Sequence, residues 1–226
     1  MAEGELYIPF INEITKKPNC FYLPNFIPVE EVPDNIPGKL QQELLKVLFV
    51  GYCYEGKGVF ELLEGLNLAA KKGIKISLTL VGSESHKFQD YMFVFKNDEN
   101  LLINRKGVQP HEVVLEEMRL NDIYVYPTRH SGEGHTNSIN EAMMNNMVII
   151  TTHAGFLSSI LSDCAFFLKT VTAEEIAQTL LLISNNRPLA LEKASAARTK
   201  FLDNYTSRTQ IPKMNSFYQF ALNGNH

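Results

Sequence analysis

Three charged side chains stand where turns and a helix start can bring them to one ligand: Lys57, Glu133 and Glu141. The two acids are eight residues apart in Arg129-His130-Ser131-Gly132-Glu133-Gly134-His135-Thr136-Asn137-Ser138-Ile139-Asn140-Glu141. Gly132 and Gly134 favour a tight loop, and Asn137-Ser138 can start a helix. Glu133 then lies in the loop and Glu141 in the first turns of the helix. Carboxylates accept hydrogen bonds from sugar hydroxyls, and two of them fix a polyol from two sides. The amides of Thr136, Asn137 and Ser138 are unpaired at such a helix start, where they and the helix dipole suit a phosphate. Lys57 sits in a separate turn between Gly56 and Gly58, where an ammonium neutralises a diphosphate and the glycines let backbone approach. Arg105 and Lys106 border a third loop expected at the same edge.

Each residue has a second reading. Glu133 is also a solvated loop acid, Glu141 a surface helix residue, and Lys57 a helix-flanking charge. His135 either caps and packs or touches substrate. His153 is either a satisfied histidine under the sheet edge or a ligand group. Tyr52 and Tyr54 either pack the turn or stack on a ligand. Met143, Met144 and Met147 read as core filling.

The positioning elements follow from the apolar pattern. Residues 46–51 form a near-continuous apolar run, the mark of a strand buried on both faces. Val59, Leu62, Leu63, Leu66, Leu68 and Ala70 follow helical spacing, Gly73 ends that helix, and 74–82 is a second strand. This βαβ unit requires parallel strands. A short helix over 83–90, short strands over 91–95 and 100–103, and a loop over 104–108 are expected next. A helix over 109–120, with Val113, Val114, Met118 and Leu120 inward, precedes strands over 122–126 and 147–152. The second of these leads into a glycine turn at 153–156. A last strand over 164–168 and helices over 172–185, 188–205 and 213–222 complete the pattern, with Thr172 as cap of the first. The fold class expected is α/β, a single open parallel sheet of Rossmann-like form with helices on both faces, over 39–226. Residues 1–38 carry prolines at 9, 18, 24, 28, 33 and 37, with a short strand over 20–23, and read as an arm lying on the main body or as a remnant leading in from another domain.

Bulk properties exclude several classes. The 226 residues suffice for one large core or two small ones. A net charge of -4 gives no support for nucleic-acid binding. Three unpaired cysteines without metal spacing predict reduced thiols inside a cell and no metal site. The acidic opening Met1-Ala2-Glu3-Gly4-Glu5 is unlike a signal peptide, and no apolar run reaches membrane-spanning length. The glycine pairs match neither the dinucleotide fingerprint nor the phosphate loop, so a dehydrogenase or an ATPase is unsupported.

The segment from Pro127-Thr128 through Glu133-Gly134, Asn137-Ser138 and Asn140-Glu141-Ala142-Met143 resembles the Glu-x7-Glu signature of retaining GT-B glycosyltransferases of the family 4 type. The strand at 47–51 followed by Glu55-Gly56-Lys57-Gly58 is similar to the opening strand and lysine turn of that family's donor-binding domain. Tyr22-Leu23-Pro24-Asn25-Phe26 is similar to its Pro-Asn-Gly lead-in, with Phe26 in place of glycine. The resemblance covers about residues 20–205.

This resemblance implies the C-terminal half of a GT-B fold and transfer of a sugar from a nucleotide-diphosphate sugar, with no cofactor or metal. It implies that Glu133 contacts the donor sugar beside the reacting centre and that Glu141 binds the ribose. Lys57 holds the diphosphate, Gly134 and the amides of Thr136, Asn137 and Ser138 line phosphate or sugar, and the loop with Lys106 and Val108 approaches the base. Tyr52 stands where the family carries an arginine, at the edge of the same donor site. The acceptor-binding half is then expected from a separate protein or a second copy. A non-catalytic sugar-nucleotide-binding or scaffold subunit is the alternative. The setting implied is cytoplasmic polysaccharide synthesis at the inner face of a membrane, reached through a partner.

Overall fold

Strands made mostly of apolar residues need cover on both sides, and the sheet supplies it. In β1 (Leu45–Val50), Leu45, Val47 and Phe49 face one apolar cluster and Leu48 faces the other. The alternation repeats in β4 (Ile123–Tyr126) and β5 (Val148–Thr152). With β2 (Ile76–Val81), β3 (Leu101–Gly107) and β6 (Phe166–Leu168) they form one six-stranded, all-parallel sheet in the order β3-β2-β1-β4-β5-β6. The structure, a computed structural model, describes residues 2, 5, 7–16 and 20–222. Pro18 and positions 1, 3 and 4 of the acidic opening lie outside the described residues.

Helices cover both faces. On one, α2 (Val59–Lys71) buries Leu62, Leu63 and Leu66 against the sheet and packs along α7 (Ala173–Asn185). Each such leucine contributes about 2 kcal/mol by leaving water. α3 (His86–Val94) adds Phe88 to the same side. On the other face lie α4 (His111–Leu120), α5 (Asn137–Met144), α6 (Leu157–Leu161) and α8 (Arg187–Asn204), the last through Ala197 and Phe201. Met143, Met144 and Met147 are fully buried there, as expected of core filling. Helices α1 (Tyr7–Thr15) and α9 (Ser207–Leu222) flank this body. Pro9 occupies the third helical position of α1, where a missing N–H costs no helix bond. The segment near Ile27 is tied by parallel bridging to the junction of α8 and α9, through Ile27 N–Tyr205 O (3.0 Å) and Ser207 N–Ile27 O (2.9 Å).

Several local expectations need correction. Residues 91–94 are helical, and Phe95 is the C-cap of α3. Their aromatic run favours a strand by propensity, but Phe88, Tyr91, Met92 and Phe95 share one helical face, and Ser85 caps the helix by accepting from Phe88 N (3.2 Å). The expected loop over 104–108 is strand through Gly107, pairing with β2 across an irregular register. Its polar residues belong to an edge strand. Leu120 is exposed rather than inward. The expected strand over 20–23 is reduced to a single bridge, Ala2 to Tyr22. The last helix starts at Ser207 and runs through Pro212.

One buried ammonium fastens the amino edge of the sheet. Lys39 Nζ donates to the carbonyls of Met118 (2.9 Å), Arg119 (2.8 Å) and Asn121 (2.6 Å), which closes the carbonyl end of α4. Asp122 accepts from Leu40 N (2.8 Å) and Lys46 N (3.2 Å) beside it. Lys39→Met keeps the stem and removes all three donors. It is expected to lower stability by about 3 kcal/mol, read by urea denaturation. A loss under about 0.5 kcal/mol would show that water satisfies those carbonyls instead.

Candidate functional site

The strand order reverses between β1 and β4, and the turns that leave these neighbours carry the candidate residues. After β1 the chain makes a single helical turn, Glu55–Lys57, and Gly58 follows with φ +66. A side chain at Gly58 would place its Cβ 2.2 Å from the carbonyl oxygen of Pro127. Glycine therefore lets the lysine turn lie directly on the end of β4. Arg129 N donates to Gly56 O (2.9 Å), joining the two turns by backbone. The Arg129 guanidinium holds Glu61 and the carbonyls of Glu55 and Val171.

Lys57 and Glu133 meet in this contact as an ion pair. Lys57 Nζ also donates to the Tyr126 hydroxyl (2.6 Å), which donates to the second oxygen of Glu133 (2.8 Å). The Thr128 hydroxyl adds a third bond to Glu133 (3.1 Å). Glu133 is 7 % exposed, so burial alone pushes its carboxyl up. The bonds from Lys57 and Tyr126, the Lys57 charge and the Thr128 hydroxyl outweigh burial and hold it below its ordinary value of 4.5. Burial, then Tyr124, then Glu133 push the Tyr126 phenol well above its ordinary range, so it stays a donor.

Helix α5 begins at Asn137, where the sequence places it. Thr136 is its N-cap but its hydroxyl turns to Ser138 (3.0 Å) and makes no cap bond. Asn137 is exposed, and Gly134, Thr136 and Ser138 are half-buried. One turn further, Glu141 is buried and contacts His111 Nε2 at the start of α4 (2.9 Å). Between the acids lies Tyr124, whose ring stacks on Tyr126 with centroids 6.1 Å apart. Its hydroxyl is fully buried and makes no hydrogen bond; Ser138 is beside it but does not close one. Burial and then both Glu141 and Glu133 push this phenol up, so both acids lie within electrostatic reach of one hydroxyl.

The remaining candidates sit apart from this cluster. Lys106 is paired with Glu117 and Arg105 with Glu84. Val108 is exposed. Tyr52 stacks on Tyr54, centroids 5.2 Å apart, and presents a half-exposed ring at the end of β1. His153 is satisfied by Ser158 (2.8 Å) and stacks on Phe167. His135 is buried and packs edge-on against Tyr205. Sequence reasoning missed Tyr124, Tyr126, Thr128 and His111. The two tyrosines read only as strand formers, although residues 124 and 126 must share a face in any strand. A depression lined by Pro37, Lys39, Lys46 and Asp122 opens at the opposite edge of the sheet, but its lysine and carboxylate are engaged by backbone groups.

Among the described residues no group of three His, Cys, Asp or Glu side chains is placed to hold a metal, and no helix is long and apolar enough to cross a membrane. Cys20, Cys53 and Cys164 are free thiols.

Comparison with known proteins places this geometry. The chain is 23 % identical over 189 residues to the capsular polysaccharide biosynthesis glycosyltransferase CapM of Staphylococcus aureus, covering 81 % of this chain and 48 % of that protein. Among solved structures it is similar to S. aureus TarM, crystallised with UDP, fondaparinux and α-GlcNAc-glycerol: TM-score 0.73, 18 % identity, 96 % of this chain and 43 % of that one. The C-terminal domain of the group 1 glycosyl transferase LpcC from Francisella tularensis gives TM-score 0.64 at 19 % identity, covering 80 % of this chain and 96 % of that domain. The chain thus spans about half the length of CapM and TarM, and its sheet has the form of one Rossmann-like half of a GT-B fold. The model of the glycosyl transferases group 1 family matches residues 34–200, which hold the whole sheet and the cluster around Lys57, Glu133 and Glu141, and the chain belongs to that family.

Proposed function

We propose that this chain is the donor-binding part of a retaining glycosyltransferase that uses a nucleoside-diphosphate sugar. Residues 39–226 form the donor domain, and residues 1–38 form an arm that leads into it. The observation that carries the reading is the direct contact of Lys57 with Glu133 across the strand-order reversal, in the loop that leads into the uncapped start of α5. In the proposed complex Lys57 and the amides of Thr136, Asn137 and Ser138 hold the diphosphate. Glu133 accepts from the sugar hydroxyls and Glu141 from the ribose, while Gly134, Tyr52, Lys106 and Val108 border sugar and base. As the bond from the anomeric carbon to phosphate oxygen breaks, charge grows on the leaving diphosphate, where the ammonium and the helix amides stabilise it. HepE of Anabaena, similar in fold at TM-score 0.62, is solved with UDP and glucose, which supports this ligand class. Transfer also needs an acceptor-binding half, supplied by the same polypeptide, a separate protein or a second copy, on the cytoplasmic side of a membrane.

Titration of UDP-, GDP- and ADP-sugars into the 15N-labelled chain tests the reading. Shifts are expected at the amides of 56–58 and 134–138. Glu133→Gln is expected to weaken binding of the sugar nucleotide about tenfold and that of the bare nucleoside diphosphate far less, because only the sugar faces the carboxylate. A folded chain with no shifts at millimolar donor would rule the reading out. A second reading, a binding subunit without turnover, is favoured by one observation. Glu133 is already engaged by Lys57, Tyr126 and Thr128, and no cation stands at Tyr52. Product formation by the purified chain with an acceptor would exclude it.

A further inference from the structure

A half-buried link joins the segment around Asn25 to the loop and helix of the candidate site. The Asn25 side-chain amide donates to the carbonyl of His135 (2.5 Å), 110 residues away. Asn140, in the first turns of α5, returns the contact: its amide donates to the Asn25 carbonyl (2.9 Å). The donating amide leaves the Asn140 side-chain oxygen facing His135 Nε2 at 2.8 Å. An oxygen cannot donate, so Nε2 carries a proton, and the neutral ring is then the Nε2–H tautomer. Its other nitrogen, Nδ1, is buried without a protein partner, and burial lowers the imidazole's pKa while Asn140 opposes that. His135 and Asn140 are both essentially inaccessible.

We infer that Asn25, His135 and Asn140 form a positioning clamp that fixes the peptide from Gly134 to Asn137 for a nucleoside diphosphate. The ligand in this inference rests on the donor-site reading above; the clamp itself does not. The physical need is plain. This peptide follows a glycine-bearing loop and has no side-chain cap at Thr136. Ordering it on binding costs about 1–2 kcal/mol per residue unless something orders it beforehand. The clamp does so at both ends, at His135 and at Asn140, using one residue from a distant segment. None of the three residues needs to touch the ligand.

Two experiments test this. In the unsubstituted chain, long-range 1H–15N spectra of labelled histidines read the ring directly. His135 is expected as the neutral Nε2–H form, taking up its second proton below the ordinary histidine value of 6.5. A proton on Nδ1, or an ordinary titration, overturns the clamp. In the second, Asn25→Asp keeps the shape but sets an acceptor against a carbonyl, and Asn140→Leu removes both bonds without adding charge. Both variants are expected to bind UDP, GDP or ADP about tenfold more weakly and to exchange the amides of 134–137 about tenfold faster, while exchange in β1 and β2 is unchanged. A merely structural role would speed exchange throughout and leave affinity in the folded chain unaltered. Unchanged affinity and exchange in both variants overturn the inference. If the parent chain binds no nucleotide, the donor reading falls, and the tautomer and the exchange rates still decide the clamp.

Discussion

Replacing Lys57 with methionine is expected to lower affinity for a nucleoside diphosphate about a hundredfold and stability by about 3 kcal/mol. Two independent arguments give these sizes. The ligand loses a cation aimed at its diphosphate, and no arginine stands at Tyr52 to replace it. The fold loses the counter-charge of Glu133, which then sits buried with only the hydroxyls of Tyr126 and Thr128. Methionine keeps an aliphatic stem and removes the ammonium over the Tyr126 ring, so the loss is mainly of charge. Calorimetric titration with UDP, GDP and ADP reads the first effect, and urea denaturation the second. The pH dependence follows from the sign of the Glu133 shift. In the parent its folded-state pKa lies below 4.5, so the stability it contributes is present above that value and is lost as pH falls through the folded pKa. In the variant the uncompensated carboxylate is relieved by taking up a proton. The gap between parent and variant should therefore close on acidification and stay flat above about pH 7. A gap that widens in acid would contradict the ion pair.

Gly155→Ala is expected to damage the same site from behind. Gly155 has φ +54, and a Cβ there would sit 2.0 Å from the carbonyl oxygen of Glu133 and 2.7 Å from its carbon. Both neighbours are backbone, so neither can swing aside. The left-handed conformation costs about 1–2 kcal/mol for any side chain, and the clash forces the Glu133 peptide to shift. That shift breaks Phe156 N–Glu133 O (3.1 Å), the bond fixing the loop to the turn after β5. The expected result is a loss of about 3 kcal/mol and a donor affinity at least about tenfold lower. Gly132→Ala is the control. Its Cβ would meet only the exposed His130 ring, at 3.3 Å, which can move. Near-neutral behaviour is expected there. Equal effects from the two substitutions would show that the loop does not depend on the approach of Gly155.

Much of this was legible from residue order. The run at 46–51 announced a strand buried on both faces, and strand–helix alternation announced a parallel sheet. Lys57 and Glu133 were readable as neighbours because each follows a strand, and turns at the carboxyl ends of adjacent parallel strands meet. Other features were hidden for physical reasons. Residues 91–95 favour a strand one by one, and only their spacing from Phe88 reveals a helix. Lys106 sits in a polar edge strand, which carries no alternation to read. His111 meets Glu141 only because α4 and α5 pack side by side. The contacts of Asn25 span more than a hundred residues and join an irregular segment to a loop and a helix start, where no periodicity reports on tertiary position.

The place of the reversal in the sheet bears on how the chain matures. During synthesis the lysine turn leaves the ribosome 76 residues ahead of its acid. A growing chain that has made only β1, β2 and β3 holds one side of the site and lacks the other. A sugar nucleotide bound as proposed above would therefore protect from proteases a chain that has added β4 and α5, and no piece that stops short of them.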